Sequence, residues 1–107
     1  MTVPELTHLQ FLVISKLLNG ECSGRNLREQ LAKSKVKKSG PAFYQMMARL
    51  EDANLVEGWY DEKVVEGQMI RERKYKLKGH GRTAYDRIVR FYREHGLDGT
   101  QGGFGYA

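Results

Sequence analysis

Two runs rich in Val, Ile, Tyr and Trp, Leu55 to Val65 and Ile70 to Leu77, flank a Glu66-Gly67 turn signal and read as a two-stranded hairpin. In the second run Tyr75 and Leu77 alternate with Lys74 and Lys76, giving the strand one apolar and one cationic side. Arg71, Arg73 and Lys74 are expected at or near the hairpin tip. The remaining patterned sequence reads as helix, and 107 residues leave room for one domain, so a single hairpin must share its core with helices.

Four helices are expected. Thr7 followed by Gln10 is a capping-box pattern, which starts helix 1. Leu9, Phe11, Leu12, Val13, Ile14, Leu17 and Leu18 then cover nearly every side of it until Asn19 and Gly20 close it. A helix so apolar calls for burial on more than one side. Ser23 caps a short second helix with Leu27 and Leu31 as its narrow apolar stripe. Ser39-Gly40-Pro41 caps and presets a third helix running to about Ala53. At 100° per residue, Phe43, Met47, Leu50 and Asn54 share its packing face, while Lys38, Ala42, Gln45 and Arg49 form a separate stripe. Gly79 and Gly81 are read as breaks before a last helix from about Arg82 to His95, with Ala84, Tyr85, Ile88, Val89, Phe91 and Tyr92 on a broad apolar arc. Gly99, Gly102, Gly103 and Gly105 mark a flexible tail in which Phe104 and Tyr106 have no assigned role.

The order helix, helix, helix, hairpin, helix is the winged helix-turn-helix arrangement: a mainly α (α+β) fold with three helices, a two-stranded wing and a C-terminal helix. The expected organisation is a winged-helix DNA-binding domain over residues 1–78, a dimerisation helix over 79–96 and a Gly-rich tail over 97–107. A third helix that enters the major groove needs side chains able to read base edges. Gln45 and Arg49 suit adenine and guanine, or a phosphate. Lys37, Lys38 and Ser39 surround a helix N-terminus, whose free N–H groups favour an anion. Arg71, Arg73 and Lys74 on the wing would reach the backbone or the minor groove. The formal net charge of +5 is compatible with this and with many other basic proteins; Lys33 and Lys35 could equally be a solvated face, whereas Lys37 and Lys38, which adjoin the start of helix 3, point to DNA contact.

From Ser39 through Leu77, and more loosely from Leu9 to Tyr92, the sequence resembles the PadR family of bacterial transcriptional regulators. The matching residues are Gly24 and Leu27, then Phe43-Tyr44, Arg49-Leu50-Glu51 and Leu55-Val56, then Tyr75, Leu77 and Gly81. The resemblance implies a dimeric repressor in which Tyr44 contacts the DNA backbone and the last helix, helped by helix 1, forms the dimer. Leu9, Val13, Tyr85, Ile88, Val89, Phe91 and Tyr92 are the expected interface. The sequence departs from the family pattern at Arg25, usually aromatic, at Asn54, usually Gly, and at Lys78, usually Thr. Asn54 can still take the left-handed conformation. The single C-terminal helix places the chain with the short members of the family.

The expected partners are therefore double-stranded DNA, a second copy of the chain and, as a further candidate, a small-molecule effector. Trp59 is either a residue of an effector pocket or an ordinary packing residue. No cofactor and no metal are expected, because His8, His80, His95 and Cys22 lack ligand spacing. No nucleophile with a base, paired carboxylates or phosphate-binding Gly loop stands at a meaningful spacing, which argues against an enzyme. Cys22 alone excludes an internal disulfide and fits a reducing compartment. Met1 to Leu6 lacks a signal-peptide pattern and no apolar run approaches the ~20 residues of a membrane span, so a cytoplasmic location is expected. The competing function is a protein-interaction module on the same fold that does not bind DNA. Single-strand or RNA binding ranks last, because most aromatics occupy core or dimer positions.

Overall fold

The computed structural model describes residues 6–96, so the expected Gly-rich tail lies outside the described residues. The element order is α1 (His8–Leu17), β1 (Cys22–Ser23), α2 (Gly24–Lys33), α3 (Gly40–Asp52), β2 (Val56–Val65), β3 (Gln68–Leu77) and α4 (Gly79–Glu94). The winged-helix arrangement read from the sequence is present, with one addition. Cys22 pairs with Tyr75 and Ser23 with Lys74, so the hairpin is part of a three-stranded antiparallel sheet of order β1-β3-β2.

The helix starts follow their caps. Thr7 accepts the Gln10 N–H at 3.1 Å and donates its own N–H to the Gln10 side chain at 3.0 Å, completing the capping box. Ser23 and Ser39 accept from the Asn26 and Ala42 N–H groups at 3.0 and 3.2 Å. α2 and α3 end at left-handed residues that are not glycine. Asn54 (φ 65°) closes α3, with its N–H donated to Glu51 and the Leu55 N–H to Leu50. Lys35 (φ 63°) closes α2 through the same pattern, with the Val36 N–H donated to Leu31. Both are Schellman motifs. α1 stops at Leu17 rather than at Asn19, and Gly20 follows at φ 131°.

Val13, Ile14 and Leu17 of α1, Leu27 and Leu31 of α2, and Phe43, Met47 and Leu50 of α3 meet Val56 and Tyr75 of the sheet in one core. The α3 packing face carries Phe43, Met47 and Leu50 as its periodicity gives and adds Met46, whereas Asn54, expected on it, lies past the helix end and is exposed. The β2–β3 ladder runs in unbroken register from Val56 opposite Leu77 to Val65 opposite Gln68, two residues further toward the turn than β3 was expected to begin. Glu66 (φ 51°) and Gly67 (φ 79°) make the two-residue connection, both in the positive-φ region that primed turns require.

Two expectations are corrected here. Gly79 and Gly81 do not interrupt the chain before α4; they form its first turn. Gly81 is buried because the Leu55 carbonyl lies where its Cβ would be, at 2.2 Å. The second correction concerns two expected dimer residues. Val13 is fully buried and Ile88 is 6 % exposed, so both are used up inside one protomer. Leu9, Tyr85, Val89 and Phe91 remain half-buried and Tyr92 is exposed. Phe11 and Tyr85 stack at 5.1 Å and tie α1 to α4.

Candidate nucleic-acid interface

From Lys33 to Arg49 the chain carries five cations and no Asp or Glu. The Schellman turn at Lys35 and the cap at Ser39 fold this stretch around the start of α3. Lys37 and Lys38 are exposed there and line a cleft of about 240 Å³ with Arg28 of α2, over Leu31, Ala32, Val36 and Phe43. The Arg28 guanidinium lies over the first turn of α3, 3.6 Å from where a Cβ on Gly40 would stand. Arg28, Lys33, Lys35, Lys37, Lys38, Gln45 and Arg49 have no ion-pair or side-chain hydrogen-bond partner among the described residues. The charges of Arg28, Lys37 and Lys38 face water beside the α3 N-terminus, where the backbone dipole also favours an anion, and Gln45 and Arg49 follow along its exposed face, Arg49 in the last turn. Ser39 is exposed, but its hydroxyl is committed to the cap.

The solvent face of α3 presents Tyr44, Gln45, Ala48, Arg49 and Asp52. Tyr44 is 37 % exposed; its ring stands edge-on to Phe43 at 5.0 Å. Its hydroxyl end covers the backbone of Gly24, where a Cβ would come within 2.8 Å of it. Glycine in α2 is what lets the Tyr44 ring lie at the border of the solvent face of α3.

The wing has a different electrostatic character. Between Glu57 and Lys76 it holds five cations and five carboxylates. Each cation is paired: Lys63 with Glu72 at 3.3 Å, Arg71 with Glu62 at 3.7 Å, Lys74 with Asp61 at 3.2 Å and Lys76 with Glu57 at 3.6 Å. Arg73 reaches out of the sheet to Glu51 of α3 at 2.7 Å. The register corrects the expected placement of the basic residues. Arg71, Arg73 and Lys74 stand opposite Glu62, Tyr60 and Trp59, well back from the turn. Strand alternation puts Arg71 and Arg73 on the Tyr75 face, toward α3, and Lys74 on the opposite face. The tip instead exposes Val64, Val65, Met69 and Ile70.

Between α3 and the inner wing face lies a groove of about 450 Å³ lined by Tyr44, Ala48, Glu51, Tyr60, Arg71, Arg73 and Tyr75. Burial works against the Arg73 charge, but a hydrogen bond to Tyr75 and the attraction of Glu51 outweigh it and hold its pKa above the ordinary value. Burial likewise raises the Tyr75 pKa, against the opposing pull of Arg73. The hydrogen bond to Asp61, then its charge, raises the pKa of Lys74. Sequence reasoning missed Arg28, Glu51, Gly58 and Tyr60. A Cβ at Gly58 would stand 1.9 Å from the Glu51 carboxylate and 2.9 Å from the Arg73 guanidinium, so a side chain there would displace the Glu51–Arg73 pair.

Trp59 is on the outer face, with the Lys76 ammonium 5.9 Å above its ring, and lines neither the cleft nor the groove. Among the described residues no group of three or more His, Cys, Asp or Glu is placed to hold a metal. No helix among them is long and apolar enough to cross a membrane.

No protein-family model and no curated protein matches the chain. Solved structures do. A PadR family transcription regulator from Clostridium difficile superposes with a TM-score of 0.69 at 20% identity, over 89% of this chain and 97% of that one. A PadR-like transcription factor from Bacteroides fragilis gives 0.67 at 15% identity, over 80% and 81%. The fold is that of PadR-type transcription regulators. The PadR of Bacillus subtilis, solved in complex with operator DNA, shares the PadR-like fold with a TM-score of 0.65 at 15% identity, over 78% of this chain and 47% of that protein. The two departures from the family pattern at Asn54 and Lys78 touch each other: the Lys78 ammonium donates to the Asn54 side-chain oxygen. Arg25 is exposed and pairs with Glu29 at 3.7 Å.

Proposed function

We propose that this chain is a sequence-specific, double-stranded DNA-binding transcription regulator, a repressor that acts as a homodimer on an inverted-repeat operator. The observation that carries the reading is the charge distribution. The Lys33 to Arg49 stretch has five cations without a carboxylate, whereas the wing is internally neutral, so the phosphate-seeking charge is concentrated at the start of the exposed helix. Gln45 and Arg49 face base edges, and Lys37, Lys38 and the α3 N-terminus, preset by Ser39, take a phosphate. Tyr44 touches the backbone at the edge of the reading face. From the wing Arg71 completes the contact set, while Arg73 is tied to Glu51 and Lys74 lies on the face turned away from α3. Leu9, Tyr85, Val89, Phe91 and Tyr92 supply the dimer surface on α1 and α4.

The test is selection of a binding sequence from a random duplex library, followed by titration at several salt concentrations. Arg49→Ala is expected to cost about 1–3 kcal/mol and relax one position of the site, and Lys38→Ala to weaken all duplexes alike with a salt slope smaller by about one. Unchanged binding in both variants refutes the assignment of the reading face. The exposed apolar wing tip favours a second reading, a protein-interaction module, which predicts no salt-dependent affinity for duplex DNA.

A further inference from the structure

The five wing cations are not equivalent. Lys63, Lys74 and Lys76 lie on the sheet face turned away from α3, by the same strand alternation that puts Arg71 and Arg73 on the near face. Of these two, Arg73 is committed. Its guanidinium donates to Glu51 at 2.7 Å, and both side chains are only 26 % exposed. Arg71 is not: its partner Glu62 is 3.7 Å away and the two are 60 % and 55 % exposed, a surface pair of the kind readily exchanged for another anion. What holds Arg71 is Tyr60. The ring of Tyr60 carries the Arg71 guanidinium at 4.0 Å from its centroid and the Arg73 guanidinium at 4.8 Å. Tyr60 itself is 56 % exposed, so packing alone does not explain an aromatic residue at this position.

We propose that Tyr60 is a positioning residue that aims Arg71 at a DNA phosphate across the groove between α3 and the wing. The anchoring runs from α3 outward. Glu51 fixes Arg73, Arg73 fixes one part of the Tyr60 ring, and the ring presents Arg71 at the mouth of the groove, opposite Tyr44 and Ala48. A duplex whose major groove holds α3 runs one sugar-phosphate strand along this groove, which offers it a guanidinium and an aromatic wall. Prearranging a long side chain lowers the ordering cost of its contact. Cation–π stacking holds the guanidinium plane while leaving its N–H groups free. The inference rests on the DNA-binding reading above.

The experiment uses the full chain and the duplex that the wild type selects from a random library. Arg71→Ala is expected to weaken binding about tenfold, the loss of one charge-assisted contact, and to flatten the salt slope by about one. Tyr60→Ala removes no charge, yet should weaken binding to a similar extent and flatten the slope in the same direction. The double variant should be no weaker than Arg71→Ala, because Tyr60 acts only through Arg71. Tyr60→Phe keeps the ring and should bind like the wild type. Thermal melts confirm folding of each variant, and Tyr60→Phe keeps the test open if Tyr60→Ala unfolds. A Tyr60→Phe protein as weak as Tyr60→Ala, additive losses in the double variant, or a wild-type slope in Tyr60→Ala each overturns the positioning role. A wild-type chain with no salt-dependent affinity for any duplex overturns the DNA-binding reading and this inference with it, and so differs from a failure confined to Tyr60.

Discussion

Gly81→Ala sets two effects of known size against each other in one residue. Alanine in a helix interior is favoured over glycine by about 0.8–1 kcal/mol, so propensity alone would stabilise α4. The packing opposes it more strongly. A Cβ at Gly81 would stand 2.2 Å from the Leu55 carbonyl oxygen, 3.1 Å from the Leu55 carbonyl carbon and 2.6 Å from Leu77 Cδ1. A weak C–H···O contact needs roughly 3.3 Å, so the helix and the strand entry must separate by about 1 Å. The carbonyl cannot turn aside cheaply, because it accepts the Lys78 N–H at 3.0 Å while the Leu55 N–H is held by Leu50 at 3.0 Å. Overpacking of this kind costs about 1–3 kcal/mol, and a backbone neighbour pinned at both ends puts the site at the upper end or beyond. The net expectation is a loss of about 2 kcal/mol, or a fall in Tm of roughly 10 °C for a domain of this size.

Gly79, two residues earlier in the same helix, has nothing within 4 Å of its Cβ position and no positive φ. Gly79→Ala should therefore leave stability unchanged or raise it by up to about 1 kcal/mol. Thermal unfolding followed by circular dichroism at one fixed protein concentration measures both, the concentration being fixed because an oligomer's Tm depends on it. A Gly81→Ala protein as stable as the wild type would refute the close approach of α4 to Leu55. Equal effects at the two positions would refute the distinction between them.

Two further outcomes follow from the caps and the core. Lys35 closes α2 at φ 63°, a conformation that costs an L-residue about 1 kcal/mol and glycine little, so Lys35→Gly should raise Tm by several degrees in the same melt. Burial raises the Tyr75 pKa above its ordinary 10.0, so the folded state favours the neutral phenol. That stabilisation is complete below pH 10 and is lost as pH rises through the folded-state value; in denaturant titrations above pH 10, Tyr75→Phe should lose less stability with pH than the wild type.

The starts of α1, α2 and α3 and most of the core faces were legible because their signals are local. Thr7 with Gln10, Ser23 and Ser39 cap through side chains within three residues, and Phe43, Met47 and Leu50 repeat at helical spacing. Three features were not legible, each for a reason that lies elsewhere in the chain. β1 has two residues and owes its strand conformation to β3, so no periodicity can announce it. Gly81 looks like a helix breaker until the Leu55 carbonyl is known to occupy its Cβ position. The basic wing was misplaced because composition was read without register. Counting back from the Glu66-Gly67 turn would have set Glu62 opposite Arg71 and Tyr60 opposite Arg73, and so paired the charges. Glu51 could not be paired in this way, because it reaches Arg73 across 22 residues of sequence.

The junction around Leu55 joins these threads. Asn54 ends α3 in the left-handed conformation and accepts the Lys78 ammonium, the Lys78 N–H binds the Leu55 carbonyl, and Gly81 packs against that same carbonyl. The last turn of α3, the first residue before β2 and the first turn of α4 therefore share one rigid knot of backbone bonds. A two-fold dimer reads two half-sites at a spacing fixed by the distance between its recognition helices. Under the dimer proposed above, that distance is set by the angle at which α4 leaves α3, and hence by this knot. In that proposed dimer, Asn54 and Lys78, the two departures from the family pattern that touch each other, would lie where half-site spacing is set. The side-chain bond between them links the end of α3 to the start of α4.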